Sequence, residues 1–172
     1  MNNQKLIIAF VFGVLLGLLL FYSYQEFFPS TSIAIFSPGN GEKIISLLDS
    51  AESSIDLEVY VFTSQEIIDS LKNAYDKGVY VRVILEKRFQ GATNQDAYKQ
   101  LMDHGIEVKW SSYDYKLMHT KFAVIDKKKV LVGSHNFSNS ALNLNREASV
   151  ILESPLVKEF IEIFETDWKI AF

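Results

Sequence analysis

The segment "LMHTKFAVIDKKKVLVGSHNFSNSALNLNRE", residues 117–147, decides the fold because it combines two strand patterns with polar residues at their outer ends. The apolar runs "KFAVID" and "VLVGS" flank three lysines, and this arrangement predicts two antiparallel strands joined by a tight turn. The polar residues are His119 and Lys121 at the start, and Ser134 and Asn136 at the end. Since polar groups are costly to bury without partners, their position predicts a functional site.

The spacing within each polar pair places its two side chains on one face of a strand. Residues two apart share a face, so His119 lies with Lys121, and Ser134 lies with Asn136. In an antiparallel hairpin, the start of the first strand meets the end of the second. An imidazole, an ammonium, a hydroxyl and an amide therefore converge at one sheet edge, where they could hold an anionic group and attack it.

The turn between the two strands sets their register. A turn centred near Lys128 predicts that Lys121 lies opposite His135. The lysines at 127–129 then lie at the far end of the hairpin, about 20 Å from His119 at about 3.3 Å per residue. They are predicted to form a solvated turn and not a substrate clamp.

The rest of the chain alternates strand patterns with helix patterns. This alternation predicts an α/β layered domain with a mixed β-sheet and helices on both faces. Glycines at 78 and 105 follow two of the helical patterns and are typical of helix C-termini. The predicted strands are residues 32–38, 54–62, 79–86, 106–110, 121–126, 130–134 and 147–153. The predicted helices are residues 41–52, 64–78, 94–105 and 155–172.

The N-terminus carries a separate signal, since residues 6–25 contain no charged side chain. A helix of this length spans roughly 30 Å, the thickness of the hydrocarbon core of a bilayer. We therefore predict a membrane anchor over residues 1–25, a linker over 26–31 and a catalytic domain over 32–172. A cleaved signal peptide is the alternative, but the apolar run is longer than the usual signal core.

Residues around the anchor bear on its orientation and packing. Lys5 lies on its N-terminal side, so the positive-inside rule predicts an extracytoplasmic domain. In a mitochondrial outer membrane, the same anchor could leave the domain in the cytosol. The spacing of Gly13 and Gly17 allows close helix packing, although glycine is common in membrane helices.

Overall composition excludes several classes of protein. The chain has 172 residues, 48% hydrophobic and 22% charged, so a disordered chain is excluded. It has no cysteine, which excludes disulfides and thiolate metal sites. The net charge of −4 argues against a broadly basic nucleic-acid surface but leaves room for a local basic cleft.

The polar positions of the hairpin, taken together, resemble the HKD signature of the phospholipase D superfamily. The resemblance runs from residue 33 to the terminal helix, and it is greatest to small members with one motif. These are the Nuc-type bacterial endonucleases and the mitochondrial cardiolipin hydrolase/Zucchini group. The matching positions are His119, Lys121, Asp126, Gly133, Ser134, Asn136 and Glu147.

The resemblance implies a phospholipase D-like fold and a role for each motif residue. His119 would attack phosphorus and form a phosphohistidine. Glu147 would accept the other imidazole N–H and so orient the ring. Asp126 belongs to the motif, but its place at the turn favours a structural role. The other three, Lys121, Ser134 and Asn136, would hold the phosphate oxygens.

The reaction also needs an acid for the leaving alkoxide, and the family supplies it from a second HKD motif. This chain has one motif, so the resemblance implies a homodimer in which two His119 side chains face each other. His104 and His135 are poor alternatives, because one sits at a helix end and the other points away from the site. No metal or other cofactor is expected.

Three functions compete at this point. A metal-independent endonuclease acting on DNA or RNA is favoured by the single motif on a small domain. A phospholipase D or cardiolipin hydrolase is favoured by the membrane anchor. A non-catalytic binding protein is disfavoured, because a degenerate member would be expected to lose His119 or Lys121 first.

Overall fold

A computed structural model describes residues 3–27, 31–88 and 92–172. Its centre is a seven-stranded mixed sheet with the order β1-β7-β6-β5-β2-β3-β4. The strands are β1 (Thr31–Ser37), β2 (Ser54–Val59), β3 (Tyr80–Leu85), β4 (Glu107–Trp110), β5 (Lys121–Ile125), β6 (Lys129–Gly133) and β7 (Glu147–Glu153). The helices are α1 (Asn3–Phe27), α2 (Glu42–Asp49), α3 (Gln65–Asp76), α4 (Ala92–Asp103) and α5 (Val157–Ile170).

The two halves of the sheet are built differently. Strands β2, β3 and β4 are parallel neighbours, joined by crossovers through α3 and α4. Strands β5, β6, β7 and β1 pair antiparallel, beginning from β2. Gly78 and Gly105 follow α3 and α4 with φ of 90° and 95°, the left-handed conformation that ends helices. The predicted layered α/β fold is confirmed.

Helices cover the two faces of the sheet unequally. Leu48 of α2, Leu71 of α3 and Leu101 of α4 belong to one large core on the first face. The second face has a smaller core in which Phe164 of α5 packs near Phe122 of β5. Helix α5 packs against β2, β5 and β6. The outer strands β7 and β1 extend beyond it on this face.

This uncovered part of the second face, which we call the open face, is apolar. Phe36 pairs in register with Ala148, and Val150 pairs with Val132, so these four residues share one side of the sheet. The side chain of Phe36 is 44% exposed, Ala148 is exposed, and the two valines are half-buried. Apart from the Arg146 guanidinium, which lies 5.2 Å from the centre of the Phe36 ring, the open face lacks the cover that α5 gives to the neighbouring strands.

The predicted register of the β5–β6 hairpin is wrong by two residues. Phe122 pairs with Val132, so the register continues with Lys121 beside Gly133 and not opposite His135. The turn is tighter and earlier than predicted. The Lys128 N–H donates to the Ile125 carbonyl (3.0 Å), and the two residues between them have positive φ. This register places Gly133 beside Lys121.

A short π-helical turn over Ser140–Leu144 was not predicted. Its five residues are too few to show a helical period. The hydroxyl of Ser37 donates to the carbonyls of Ala141 (2.6 Å) and Asn145 (2.9 Å) and so fixes this turn to β1. The turn delivers the chain to β7, which begins at Glu147.

Helix α1 contains a span, Asn3–Ser23, that is long and apolar enough to cross a membrane, and none of it is buried against the rest of the chain. Of the predicted linker, residues 28–30 lie outside the described residues. The sheet begins at Thr31, immediately after that gap. The predicted boundaries of anchor and domain remain predictions.

Asp126 fastens the β5–β6 turn to the start of β2. Its carboxylate accepts the backbone N–H groups of Glu52 (3.1 Å), Ser53 (2.7 Å) and Ser54 (3.0 Å), and the hydroxyl of Ser53 (2.8 Å). Burial alone would raise the pKa of Asp126, but these hydrogen bonds favour the charged form, and its pKa is lowered. Asp126 thus acts as a structural acceptor at this end of the sheet.

We predict that Asp126→Asn lowers the free energy of unfolding at pH 7 by about 1–2 kcal/mol, because the charged acceptor is lost from a partly solvated site. Since the folded-state pKa is lowered, this stability is present above the unfolded pKa and is lost as pH falls through the folded value. Urea unfolding at pH 7 and pH 3 would measure it. The exposed Asp96→Asn is the control, and an equal difference between wild type and Asp126→Asn at both pH values would contradict the prediction.

Candidate active site

His119 and Lys121 lie where β5 begins, at the end of the sheet opposite Asp126. His119 is exposed, and its ring centre lies 4.5 Å from that of Tyr60. Lys121 is buried, with its Nζ donating to the His119 carbonyl (2.7 Å) and lying 5.1 Å from the Tyr60 ring centre. Tyr60 follows β2, and its N–H donates to the Thr120 carbonyl (3.0 Å). An aromatic platform therefore supports both site residues.

Sequence reasoning missed Tyr60. The residue lies at the end of the pattern "SIDLEVYVF", where it reads as one more strand residue. Only the pairing of β2 with β5, residues distant in sequence, brings it to His119.

The charge of Lys121 is set by two opposing effects. Burial lowers the pKa of Lys121, whereas the negative charge of Glu147 raises it. The net direction is downward. No carboxylate of the described residues forms an ion pair with Lys121, and a buried ammonium of this kind is well suited to hold an incoming anion.

Ser134, Asn136 and Glu147 complete the cluster from the other side. The Ser134 hydroxyl donates to the Glu147 carboxylate and accepts the Ala148 N–H (3.0 Å). Within the described part of the chain, the buried Oδ1 of Asn136 has no hydrogen-bond partner. An unsatisfied buried polar atom is costly, so it marks a place where a ligand or another group can bind.

The predicted contact between Glu147 and the His119 ring is not present. Glu147 instead contacts Ser134 and, at 3.4 Å, the amide of Asn145; no hydrogen bond joins it to His119 among residues 31–88 and 92–172. Its orienting role stays a prediction. Five of the six predicted site residues lie at this end of the sheet, and Asp126 lies at the other.

Gly133 allows β6 and β7 to approach closely beside the site. A Cβ built on Gly133 would lie 2.2 Å from the Ser149 hydroxyl and 2.5 Å from the Ala148 carbonyl oxygen. No side chain fits there without moving the backbone that holds Ser134 and Glu147. The glycine of the motif is thus explained by packing.

The other two histidines are engaged elsewhere, as expected. His135 is 1% exposed, its Nδ1 lies 2.7 Å from the Ser149 hydroxyl, and burial lowers its pKa. His104 lies beyond α4 with its Nε2 2.8 Å from Asp76. Neither can approach a phosphate bound beside His119.

An apolar cavity of about 360 Å³ adjoins the site on the second face of the sheet. His119 and Lys121 form its polar end, and Gly133 lies beside them. Its remaining walls are Thr120, Phe122, Val132, Glu159, Phe160 and Ile163. Among the residues that the structure describes, no group of three or more His, Cys, Asp or Glu side chains could hold a metal ion.

A family model described as "Cardiolipin synthase, PLD-like domain" matches residues 44–168, which is most of the chain. The chain belongs to the phospholipase D superfamily. This confirms the family predicted from the HKD pattern. Membership of this superfamily supports the prediction that the chain is a phosphodiester hydrolase.

Proteins named cardiolipin hydrolase and proteins named phospholipase D are both similar in sequence to this chain. Mitochondrial cardiolipin hydrolase of Mus musculus is 34% identical over 128 residues, covering 74% of this chain and 57% of that protein. Phospholipase D of Rickettsia conorii is 28% identical over 201 residues, covering 97% of this chain and 95% of that protein. The chain thus spans little more than half the length of the mouse relative.

A solved structure shows the same architecture. Nuc from Salmonella typhimurium, a phospholipase D family member, has a TM-score of 0.79 and 26% sequence identity. The similarity covers 83% of this chain and 97% of Nuc. NucT from Helicobacter pylori has a TM-score of 0.70 at 20% identity, which supports the fold alone.

Proposed function

We propose that this protein is a metal-independent phosphodiesterase that works through a phosphohistidine in a homodimeric site, and that it is an endonuclease cleaving DNA or RNA. The observation that carries the proposal is the convergence of exposed His119 and buried Lys121 with Ser134, Asn136 and Glu147 at one end of the sheet. An exposed imidazole beside anion-binding groups is the arrangement that phosphoryl transfer requires.

The proposed reaction has two displacements. A neutral imidazole nitrogen of His119 attacks phosphorus, the P–N bond forms, and the bond to the leaving oxygen breaks. The leaving oxygen takes a proton from an acid. Water then gives a proton to the resulting base and attacks phosphorus, and the P–N bond breaks and releases His119. Lys121 and the side-chain N–H groups of Asn136 stabilise the charge on the phosphate oxygens in both steps.

Neither of the other two histidines of the chain supplies this acid. His135 is buried against Ser149, and His104 is bound to Asp76, so neither serves. His119 of a second copy would serve, if a two-fold axis brought the two sites together.

The open face supports such a dimer. Phe36, Ala148, Val150 and Val132 continue without interruption into the cavity beside His119, since Val132 lines both. An uncovered apolar sheet face next to a site that lacks one group is a natural surface for a second copy. Burying the open face would bring two His119 side chains toward each other.

The position of the anchor relative to the site supports a soluble substrate. Strand β1 starts with Thr31 opposite Glu153 and ends with Ser37 opposite Glu147. The chain therefore leaves α1 at one end of β1, and the site lies at the other, about 20 Å along the strand. A domain standing on α1 would present the site to the aqueous phase, where nucleic acid is found.

The second candidate is a phospholipase, and the apolar cavity favours it. A cavity of about 360 Å³ walled by Phe122, Phe160 and Ile163 could take an acyl or glycerol portion beside the phosphate. The similarity to mitochondrial cardiolipin hydrolase points in the same direction. This reading requires the domain to lie on its side or to act on another bilayer.

We predict that the full-length protein cleaves single-stranded DNA or RNA in EDTA, and that His119→Ala reduces the rate by at least about 10³-fold, because the nucleophile is lost. Strand cleavage on gels measures this, with His104→Gln as the histidine control. Hydrolysis of cardiolipin or phosphatidylcholine vesicles without nucleic-acid cleavage would replace the endonuclease assignment with the lipid one. Inactivity on both would reject the phosphodiesterase.

We predict that mixed dimers of wild type and His119→Ala are inactive, because each reaction uses both histidines. Differently tagged chains, co-expressed in equal amounts, should then retain about a quarter of the all-wild-type activity, the fraction of wild-type homodimers expected from random pairing. Purification through both tags isolates the mixed dimer directly. Retention of half the activity would show that each chain works alone.

We predict that Phe36→Asp yields an inactive monomer, because a carboxylate on the open face cannot be buried against a second copy. Ile33→Asp is a matched control, since Ile33 lies on the same strand, is 52% exposed and faces the opposite side. Sedimentation and activity measure both variants. A monomer from Ile33→Asp alone would move the dimer interface to the other face.

A further inference from the structure

Glu58 is a fully buried carboxyl group in the middle of the sheet, and the reaction proposed above does not use it. On its two neighbouring strands it pairs in register with Ile84 of β3 and Phe122 of β5, both apolar. Helix α5 covers this side and contributes Asp167, which is 9% exposed. Two carboxyl groups are thus buried beside the same cavity, which His119 also lines.

Each carboxyl group holds one side chain of the segment that leads to His119. The hydroxyl of Thr120 donates to Glu58, and the hydroxyl of Tyr115 donates to Asp167 at 2.6 Å. Both carboxyl groups, both hydroxyl residues and His119 line one cavity of about 290 Å³. The pair of acids therefore fastens residues 115–120 to the body of the domain at two points.

The protonation state of the pair follows from its surroundings. Burial raises the pKa of Glu58 to about 8, opposed by the Thr120 hydrogen bond and assisted by the negative charge of Asp167. Within the described part of the chain, Oε2 of Glu58 receives no hydrogen bond. A protonated Oε2 needs no donor, and it can donate to Asp167.

We propose that Glu58 and Asp167 share one proton, which keeps the two carboxyl groups together, so that their hydrogen bonds to Thr120 and Tyr115 hold residues 115–120 in the position that presents His119 to the phosphate. Glu58 is then a positioning residue of the reaction. The inference rests on the proposed phosphodiesterase function, because it assigns the site in which His119 acts.

Thr120 transmits this effect because of its place in the chain. It directly follows His119, and both residues line the cavity beside α5. Since the two residues share one stretch of backbone, fixing the Thr120 hydroxyl on Glu58 restricts the backbone that carries His119.

The remainder of the segment is held at its other end. Arg88 donates to the Tyr115 carbonyl at 2.5 Å, and Glu86 accepts the Met118 N–H at 2.7 Å. Repulsion between ionised Glu58 and Asp167 would leave these contacts and the bond from the Tyr60 N–H to the Thr120 carbonyl in place, and it would displace the Thr120 and Tyr115 side chains. The expected consequence is misorientation of His119 and not unfolding of the segment.

The proposal predicts a loss of activity as pH rises. The titratable groups that line the cavity with Glu58 are Asp167 from α5, and Tyr115 and His119 from the segment. The residues paired with Glu58 on β3 and β5, Ile84 and Phe122, are apolar. The hydrogen bond to Asp167 raises the pKa of Tyr115 to about 12, so Tyr115 stays neutral. Ionisation of Glu58 then places two carboxylates together with no cation among these groups.

The test uses the full-length chain with bis(p-nitrophenyl) phosphate as a general phosphodiester, in EDTA, from pH 6 to pH 10. Wild-type kcat should fall as Glu58 ionises. Glu58→Gln keeps the shape, accepts from Thr120, donates to Asp167 and does not ionise, so this fall should be absent. The exposed Glu66→Gln should show the wild-type profile. Identical profiles for wild type and Glu58→Gln would overturn the proposal.

Thr120→Val tests the link to His119 separately, since it removes the hydroxyl and keeps the volume. A misplaced nucleophile should lower kcat roughly tenfold to hundredfold with little change in KM. Unchanged kcat in Thr120→Val would show that the Glu58 contact does not position His119.

Hydrogen exchange provides a readout that does not need activity. At pH 9, amides of residues 115–120 should exchange faster in wild type than in Glu58→Gln, with the chemical exchange rate the same for both. Equal exchange would overturn the proposal even if the enzyme were inactive. Faster exchange in wild type without phosphodiester hydrolysis would retain the carboxyl pair and reject the proposed function instead.

Discussion

The pairing of β5 with β2 on one side and β6 on the other is the constraint on which the site depends. It brings Tyr60 beneath His119, and it sets Lys121 next to Gly133. Strand β6 in turn pairs with β7, whose first residue is Glu147. Polar groups from β5, β6 and β7 meet at one end of the sheet. The interiors of these strands can therefore stay apolar while their ends provide the polar side chains of the site.

The buried charges on the α5 side follow from the same pairing. Strand β2 alternates apolar and acidic residues, yet all six of its residues are buried. Arg82 of β3 bonds Asp56 at 2.7 Å and Glu165 of α5 at 2.6 Å, so one of the two acidic residues is neutralised by an ion pair. Glu58, the other, has no cationic partner in the described part of the chain, and burial raises its pKa to about 8, which favours the neutral form. One strand thus contains two solutions to the cost of burying a carboxyl group.

Local sequence patterns predict the elements well and their contacts poorly. Apolar periodicity located the seven strands and the four domain helices, since it records which side of each element is buried. The hairpin register was off by two residues, because it depends on turn conformation at Asp126 and Lys127, where φ is positive. The alternation in "SIDLEVYVF" predicts a strand whether its acidic side faces water or α5. Pairing between distant elements decides that question, and so Tyr60 and Glu58 could not be found beforehand.

The anchor and the proposed dimer are physically connected. Helix α1 is unburied, and nothing lies within 4 Å of a Cβ placed on Gly13 or Gly17, so a second helix could approach closely at that stripe. Copies confined to one membrane meet at a far higher effective concentration than copies free in solution. If α1 spans a membrane, the small number of residues between α1 and β1 would keep the open faces of two copies at similar heights above the bilayer. The open face therefore need not be large to assemble a site from two copies of His119, which explains how one small domain with one motif could suffice.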